Sequence, residues 1–388
     1  MRLFEFLLFL LCIVDALTRI RFAAKRPIWT SAIPLISFLC GIIHIAGETG
    51  RWQMIPIYLV VLSTFAMSLL RLFQTGEIAV RSDRLARGTG SLIVLLAVMS
   101  LTSGTALPVF DLPIPSGDYV VGVVESRLGD TGIGIRVHYP SDMSHGERDR
   151  YATGNLDRHI AYLSSHYGLP VSLLGHLSLV RTFSFPTARL SDELPQFRVL
   201  IACPDASRPS SHATALTEDL ASHGFVVITI PDPGIADTSV EDPAREVSRY
   251  VDLMEELVFG LEALGPKDEI GWLADRLDLA RIGVYGLDQA GLAVIAACSG
   301  GTFRAGASVG FQPASPRPDV PFLYIHPENT NDPLPDDVTA TTYSLTVRGA
   351  MIDNFGDDAF VSPLMPALGQ FGPIDSYRAS QITGAYLG

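Results

Sequence analysis

The chain has 388 residues, 48% of them hydrophobic, and a mean hydropathy of +0.30, which is too apolar for one ordinary soluble domain and indicates a membrane region joined to a globular region. Residues 1–110 hold 10 Lys/Arg and 5 Asp/Glu, whereas residues 111–388 hold 18 Lys/Arg and 36 Asp/Glu. Such an acidic globular region repels polyanions, so a nucleic-acid partner is excluded.

Four apolar runs open the chain, and a helix needs roughly 17–25 mostly apolar residues to cross a bilayer core. The runs are residues 3–17, 28–47, 54–70 and 91–107. They predict about four transmembrane helices within residues 1–107. The first run is the shortest and contains Asp15, and a cleaved signal peptide is its alternative interpretation. Asp15 and His44 are expected to make helix-end or interhelical hydrogen bonds, with a role in a functional path as the alternative.

Basic residues are concentrated in two of the three loops between these runs. The first loop has Arg19, Arg21, Lys25 and Arg26, and the third has Arg71, Arg81, Arg84 and Arg87. The second loop has only Arg51. Because positive loops stay in the cytoplasm, we predict a multi-pass protein of the cell membrane whose acidic domain is periplasmic or extracellular.

The globular region alternates strand-like and helix-like segments after a proline-rich linker at 108–118. Eight strands are predicted near 119–125, 133–138, 198–203, 225–230, 281–285, 305–310, 320–326 and 342–347. Helices are predicted at 211–222, 241–264, 289–299 and 375–386. The later strands are almost wholly apolar, as in strands buried on both faces. Residues 119–388 are therefore predicted to form a doubly wound α/β domain with a mostly parallel, eight-stranded sheet.

Residues 151–186 interrupt this alternation as an insertion between the second and third predicted strands. A lid or membrane-docking surface over a pocket is one interpretation, and a helix pair covering the sheet edge is the other. The four cysteines, Cys12, Cys40, Cys203 and Cys298, form no ligand-like cluster and are expected to be buried free thiols.

Several segments, taken in order, resemble one family of enzymes. They are LTEDLASHGFVVITIPDP (216–233), RIGVYGLDQAG (281–291), FRAGASVGF (303–311), TVRGAMIDNFGD (346–357) and SPLMPALGQFGPID (362–375). Together they resemble the α/β-hydrolase family of platelet-activating-factor acetylhydrolases, and GRWQMIPIYL (50–59) and GLPVSLLGHLSLVRT (168–182) resemble its bacterial, membrane-anchored members. The resemblance implies an α/β-hydrolase fold and a serine esterase that cleaves short or oxidised acyl groups from phospholipids without a metal.

The residues that carry the family's chemistry are replaced at four positions. Asp288 stands at the corner of the Gly-x-Ser-x-Gly turn, where the serine nucleophile is expected. Gly310 stands in the place of the acid, and Ile352 in the place of the histidine. The oxyanion loop, normally His-Gly, has Pro204 and Asp205, and proline cannot donate a backbone N–H. Further pocket-lining candidates are Cys203, Leu287, Gln289, His326 and Asp353.

Four simultaneous losses favour a pseudoenzyme that binds a lipid or acyl ligand or docks in a membrane-protein complex, without a cofactor or metal. The alternative is a carboxylic ester or other hydrolase with Asp288 as nucleophile and His326, beside Glu328 and Asp332, as an improvised base. A metal site of Asp288, His326 and Asp353 lacks any ligand spacing. Cys203 has no basic neighbour in sequence to activate its thiol.

Overall fold

Two structural units are distinguished by residue contacts in a computed structural model of the chain. The first consists of Met1–Val109 with Ser172–Leu179, and the second of Phe110–Val171 with Val180–Gly388. The structure describes residues 2–22, 28–73, 83–129, 131–144, 146–186, 188–230, 243–311, 318–328 and 340–388. The predicted loop residues Lys25, Arg26 and Arg81, and Asp332 near His326, lie outside these ranges.

The first unit is built from four helices whose inward faces form one apolar core. The helices are α1 (Leu3–Arg21), α2 (Ala32–Glu48), α3 (Ile55–Phe73) and α4 (Asp83–Ala106). The core includes Leu8, Ala16, Ile57, Val61 and Ala97. Large apolar side chains also face outward along every helix, among them Phe6, Leu39, Leu59 and Leu95. A helix that is apolar on all sides is typical of a membrane span.

Three of these helices are long and apolar enough to cross a membrane, so the predicted count of four is wrong. The three spans cover Trp29–Glu48, Trp52–Leu70 and Arg87–Ala106, and they are consistent with membrane association. Helix α1 has 19 residues, but it carries Glu5, Asp15, Arg19 and Arg21, which lower its hydropathy. The apolar run at 3–17 therefore predicted a helix correctly but overstated how apolar the whole helix is.

Charged groups of α1 are buried in pairs at both ends of the bundle. Asp15 Oδ2 accepts from Arg19 Nε at 2.7 Å on the same helix. Glu5 Oε2 accepts from Arg51 Nη2 at 2.8 Å, and Glu5 Oε1 accepts from Arg2 Nη2 at 2.8 Å. His44 Nδ1 lies 2.9 Å from the Tyr58 hydroxyl, which is the interhelical hydrogen bond expected for this residue. Arg2, Glu5, His44 and Arg51 are called the Glu5 cluster below.

The second unit contains a nine-stranded sheet in the order β3-β1-β2-β5-β4-β6-β7-β8-β9. The strands are β1 (Val120–Arg127), β2 (Gly134–Ser141), β3 (Ser184–Phe185), β4 (Phe197–Cys203), β5 (Phe225–Thr229), β6 (Leu277–Leu287), β7 (Ala305–Val309), β8 (Phe322–Pro327) and β9 (Thr342–Val347). Strand β2 pairs antiparallel with β1 and β5, and the other pairs are parallel. The eight predicted strands are present, and the prediction missed β3, whose two residues are too short to give an alternating pattern.

Helices cover both faces of the sheet, as a doubly wound domain requires. They are α5 (Leu156–Tyr167), α6 (Thr214–Ser222), α7 (Pro243–Glu262), α8 (Ala290–Ala297) and α9 (Ser376–Leu387). Alternate residues of β4 face opposite cores, since Val199 and Ile201 join the cluster with α7 and α8. Ala202 joins the cluster with α6 and α9. Both faces of the central strands are therefore buried, which explains their continuous apolar sequence.

The predicted insertion at 151–186 contributes α5 and then β3, which pairs with the edge strand β1. All four cysteines are buried and free, as expected from their scattered positions.

Candidate functional site

The turn after β6 has the backbone shape of a nucleophile elbow. Asp288 follows the end of β6 with φ of 53°, a left-handed conformation that asparagine and aspartate tolerate better than most residues. Its N–H donates to Val309 O at 2.8 Å, and the Gly291 N–H donates to Asp288 O at 3.0 Å. A Cβ atom at Gly286 would lie 2.8 Å from the carbonyl carbon of Ala290, so the corner needs glycine there. A strained strand-to-helix corner of this kind displays its central side chain at the carboxyl edge of the sheet.

The positions that the family resemblance assigns to an acid and a histidine meet beside this corner. A Cβ atom at Gly310 would lie 2.1 Å from Ile352 Cδ1 and 3.8 Å from Asp288 Cα. Gly310 also has φ of 93°, a conformation that side chains rarely adopt. Asp288, Gly310 and Ile352 thus converge as the three catalytic positions would, but they supply a carboxylate, a bare backbone and an alkyl group.

The backbone N–H that would stabilise an oxyanion is bonded to a carboxylate of the protein itself. The Gln289 N–H donates to Asp205 Oδ2 at 3.1 Å. The other oxygen of Asp205 accepts from the Ser207 N–H at 2.7 Å and from the Ser207 hydroxyl. Asp205 is buried, with 4% of its surface exposed. An anionic side chain therefore occupies the place where negative charge would develop on a substrate.

Arg208, four residues after Pro204, joins the corner to a second buried aspartate. Its Nη2 donates to Asp353 Oδ1 at 2.7 Å and to Asp288 Oδ2 at 3.3 Å. Burial raises the pKa of the Asp288 carboxyl, and the guanidinium of Arg208 opposes that rise by favouring the ionised form. Asp288 is therefore the ion-pair partner of a cation.

Beneath Arg208 lies a histidine–aspartate pair. Arg208 Nη1 lies 3.0 Å from His212 Nε2, and the same nitrogen of His212 lies 3.3 Å from Asp358 Oδ2. Burial disfavours the Asp358 anion, but His212, His159 and Arg208 outweigh this effect and hold the pKa of Asp358 below its usual range. Burial lowers the pKa of His159 to about 4, so that ring is neutral at pH 7.

Aromatic residues of α5 close the polar group from the side of the insertion. The Tyr162 hydroxyl accepts from Arg208 Nη1 at 2.9 Å, and the Tyr167 hydroxyl donates to Asp358 Oδ2 at 3.0 Å. His166 Nε2 lies 3.4 Å from Asp353 Oδ2. Arg208, His212, Asp353 and Asp358, together with Asp288, are called the Arg208 cluster below.

The structure brings together some of the residues proposed from the sequence and separates others. Asp205, Gln289 and Asp353 lie in direct contact with the corner or with Arg208. Cys203, Pro204 and Leu287 are buried beside them at the ends of β4 and β6, and burial raises the pKa of the Cys203 thiol, so it stays protonated.

His326 lies apart from the corner. Its Nε2 is 2.9 Å from the Ser344 hydroxyl, a contact between β8 and β9. Within the described residues its ring has no hydrogen bond or ion pair to Asp288, so the base expected for an aspartate nucleophile is not at hand.

Sequence reasoning missed Arg208, His212 and Asp358, which complete the polar group. A signal was present in the sequence. The loop after β4, where the resemblance implies a His-Gly oxyanion loop, instead carries Arg208 and His212 four residues apart. The described residues contain no group of three His, Cys, Asp or Glu side chains arranged to hold a metal. The site is a closed set of ion pairs and hydrogen bonds around an elbow corner.

Comparison with known proteins identifies the fold. No protein-family model matches the chain, and no curated protein matches it. Among solved structures the chain is similar to a ferulic acid esterase from Streptomyces cinnamoneus, with a TM-score of 0.51 and 20% identity. The match covers 72% of this chain and 91% of that one. The second unit therefore has an esterase-like α/β-hydrolase fold.

Proposed function

We propose that this protein is a membrane-anchored, non-catalytic relative of the platelet-activating-factor acetylhydrolases, whose α/β-hydrolase-like domain serves as a binding or docking subunit. The observation that carries the proposal is the contact between the Gln289 N–H and Asp205. A carboxylate in the oxyanion position repels the negative charge of a tetrahedral intermediate, the reverse of what acyl transfer requires.

Two further features support loss of ester hydrolysis. Ile352, at the position that the resemblance assigns to the histidine, can neither accept nor donate a proton, so this position supplies no general base. Arg208 pairs with Asp288 at 3.3 Å, so attack by that carboxylate would first have to break an ion pair. Each change alone would lower the rate by orders of magnitude, and together they leave little transition-state stabilisation.

The partner classes that suit such a domain are a membrane lipid, bound through its acyl chain, and another membrane protein. A domain that follows apolar helices stays near the bilayer, which raises its local concentration toward both. The basic loops favour a periplasmic or extracellular location. In the helical unit Arg2 donates to Thr49 O at 2.8 Å and Arg51 to Leu107 O at 3.2 Å, so the start of α1 and the exit of α4 share one end of the bundle.

One feature favours a second function, hydrolysis through Asp288 as a covalent nucleophile. The corner holds its carboxylate in the left-handed conformation with 24% of the side chain exposed, as a displayed nucleophile would be. The water-activating base would then be His212, which reaches Arg208 and Asp358. The non-catalytic function is favoured because Arg208 contacts both His212 and Asp288. The base and the nucleophile would each have to leave this arginine before they could react.

The deciding experiment measures hydrolysis of p-nitrophenyl acetate and butyrate by the full-length protein in detergent. We expect wild type and Asp288→Ala to match at the background rate, while a serine esterase in the same detergent turns over normally. Turnover by wild type that disappears in Asp288→Ala would overturn the proposal. Mass spectrometry of the aspartate-containing peptide would then test for a covalent adduct on Asp288.

A further inference from the structure

A cavity lies at the carboxyl edge of the sheet, and the residues of the elbow corner do not line it. Its volume is about 670 Å³, within the range of roughly 300–1,000 Å³ of small-molecule sites. The floor is formed by the ends of β1 and β5 and the start of β2. In α/β folds ligands bind in crevices outside the carboxyl ends of the strands, and this cavity has that position.

The cavity shares helix α5 and the loop after β4 with the Arg208 cluster, but it is lined by different residues of them. Residues 153–155, at the start of α5, line one side together with Arg158 in its first turn. Ser210 and Glu269 line the other sides. Asp288, Gly310 and Ile352 are not among the lining residues, so a ligand here would not touch the corner.

The lining of the cavity carries a net positive charge, whereas the domain as a whole is strongly negative. Three arginines and two glutamates line the cavity, namely Arg127, Arg136, Arg158, Glu125 and Glu269. Residues 111–388 as a whole hold twice as many acidic as basic residues. A positive recess in an acidic surface attracts anions locally, because the low-dielectric walls focus its field.

The arginines of this lining differ in whether the protein already supplies them with an acidic partner. Arg136 is already engaged by Glu125 and Asp149. Glu269 Oε2 accepts from the Ser126 hydroxyl at 3.0 Å, which fixes that carboxylate at the rim. The guanidinium of Arg127 makes no hydrogen bond or ion pair with any residue that the structure describes, and it lines the same cavity. Its planar fork matches a phosphate or carboxylate geometrically.

We propose that this cavity binds a small polar molecule with an anionic group, a phosphate or a carboxylate, which Arg127 holds, while Arg158 adds positive charge to the lining. The hydroxyl and carboxylate groups of Ser126 and Glu269 then face the uncharged or cationic part of the molecule. The proposal does not depend on the elbow being inactive. It assigns the domain a polar ligand site separate from the corner.

The test is isothermal titration of the full-length protein in detergent with O-phosphoethanolamine, ethanolamine and succinate. We expect phosphoethanolamine or succinate to bind and ethanolamine, which has no anionic group, not to bind, and the stronger of the two identifies the preferred anion. Arg127→Gln should weaken that binding about tenfold, as expected on losing a charge-assisted hydrogen bond, and Arg158→Gln should weaken it less.

The matched controls are Arg198→Gln and Arg378→Gln, which remove exposed arginines of the same domain that do not line the cavity. They should leave the dissociation constant unchanged. Absence of binding by both anions would overturn the proposal. Binding that survives in the Arg127→Gln/Arg158→Gln double variant, or that falls equally in the control variants, would overturn it as well.

Discussion

The two units each bury a polar cluster, and the clusters differ in what they enclose. In the Glu5 cluster the carboxylate is fully buried, and it is neutralised by Arg2 at the start of the same helix and by Arg51 from the α2–α3 connection. In the Arg208 cluster one arginine serves several carboxylates, and one of these, Asp288, is partly open to solvent. The first arrangement ties helices together. The second pairs Arg208 with the corner residue Asp288 and with the buried Asp353.

The largest expected effect comes from removing the shared cation of the Arg208 cluster. Arg208→Ala would leave Asp353 and Asp288 without their ion pair in a buried setting, so the free energy of unfolding should fall by about 3–5 kcal/mol. Chemical denaturation of the full-length protein measures it. Arg378→Ala, an exposed site, should change stability by less than about 0.5 kcal/mol. Equal effects of the two substitutions would show that the cluster contributes little.

A smaller loss is expected from the corresponding change in the helical unit. Arg51→Met leaves Glu5 with Arg2 as a remaining partner, so we expect a loss of about 2–3 kcal/mol. The double variant Glu5→Gln/Arg51→Met should regain part of it, because no buried carboxylate is then left short of a partner. Thermal unfolding in detergent reports both, with Arg21→Met as the exposed control. A double variant less stable than the single would contradict the pairing.

In the second unit the free energy of unfolding should also depend on pH, through the buried Glu218. Burial raises the pKa of Glu218 on α6 from 4.5 to about 6, against hydrogen bonds from Ser184 and Phe183. A raised pKa means that the folded state binds the proton more tightly, so this contribution is full below pH 4.5 and is lost as pH rises through 6. The loss is about 2 kcal/mol. The difference in stability between wild type and Glu218→Gln should change by this amount between pH 4.5 and 7, whereas Glu262→Gln should show no such change.

The smallest effect tests the corner itself. Gly310→Asp places a side chain at φ of 93° and against Ile352, which should cost about 1–3 kcal/mol. Gly301→Asp, at φ of 80° with nothing nearby, isolates the backbone strain from the contact. Gly310→Asp/Ile352→His should be less destabilised than Gly310→Asp, as measured by thermal unfolding. A single variant as stable as wild type would show that the two positions are not in contact.

The fold was largely predictable because its signals are local. Buried central strands such as β4 are continuous apolar runs, and the elbow is framed by Gly286 and Ala290 within five residues. The two-residue β3 left no such signal, because its pairing with β1 depends on tertiary contact. The charges of α1 likewise gave no indication that Glu5 would be matched by Arg51, 46 residues away.

The candidate site was predictable only in part, for the same reason. The replaced positions could be read from their motifs, whereas the groups that fill the site come from distant segments. Arg208 is 80 residues from Asp288 and 145 residues from Asp353. His326 was proposed because of its position after the corner in sequence, yet β8 and β9 direct it toward Ser344. Position in the chain therefore pointed to His326, whereas the histidine that contacts Arg208 is His212.

The partial exposure of Asp288 gives the two contacts of Arg208 different sensitivities to ionic strength. Dissolved ions reach the Asp288 carboxylate, 24% exposed, and screen it, but they do not reach Asp353, whose side chain is 3% exposed. Added salt should therefore weaken the bond to the corner while the bond to Asp353 persists. The loop that carries Asp205 and Arg208 would then stay anchored to the domain while its hold on the corner loosens, so the ionic strength of the surrounding solution would set how firmly the corner is closed.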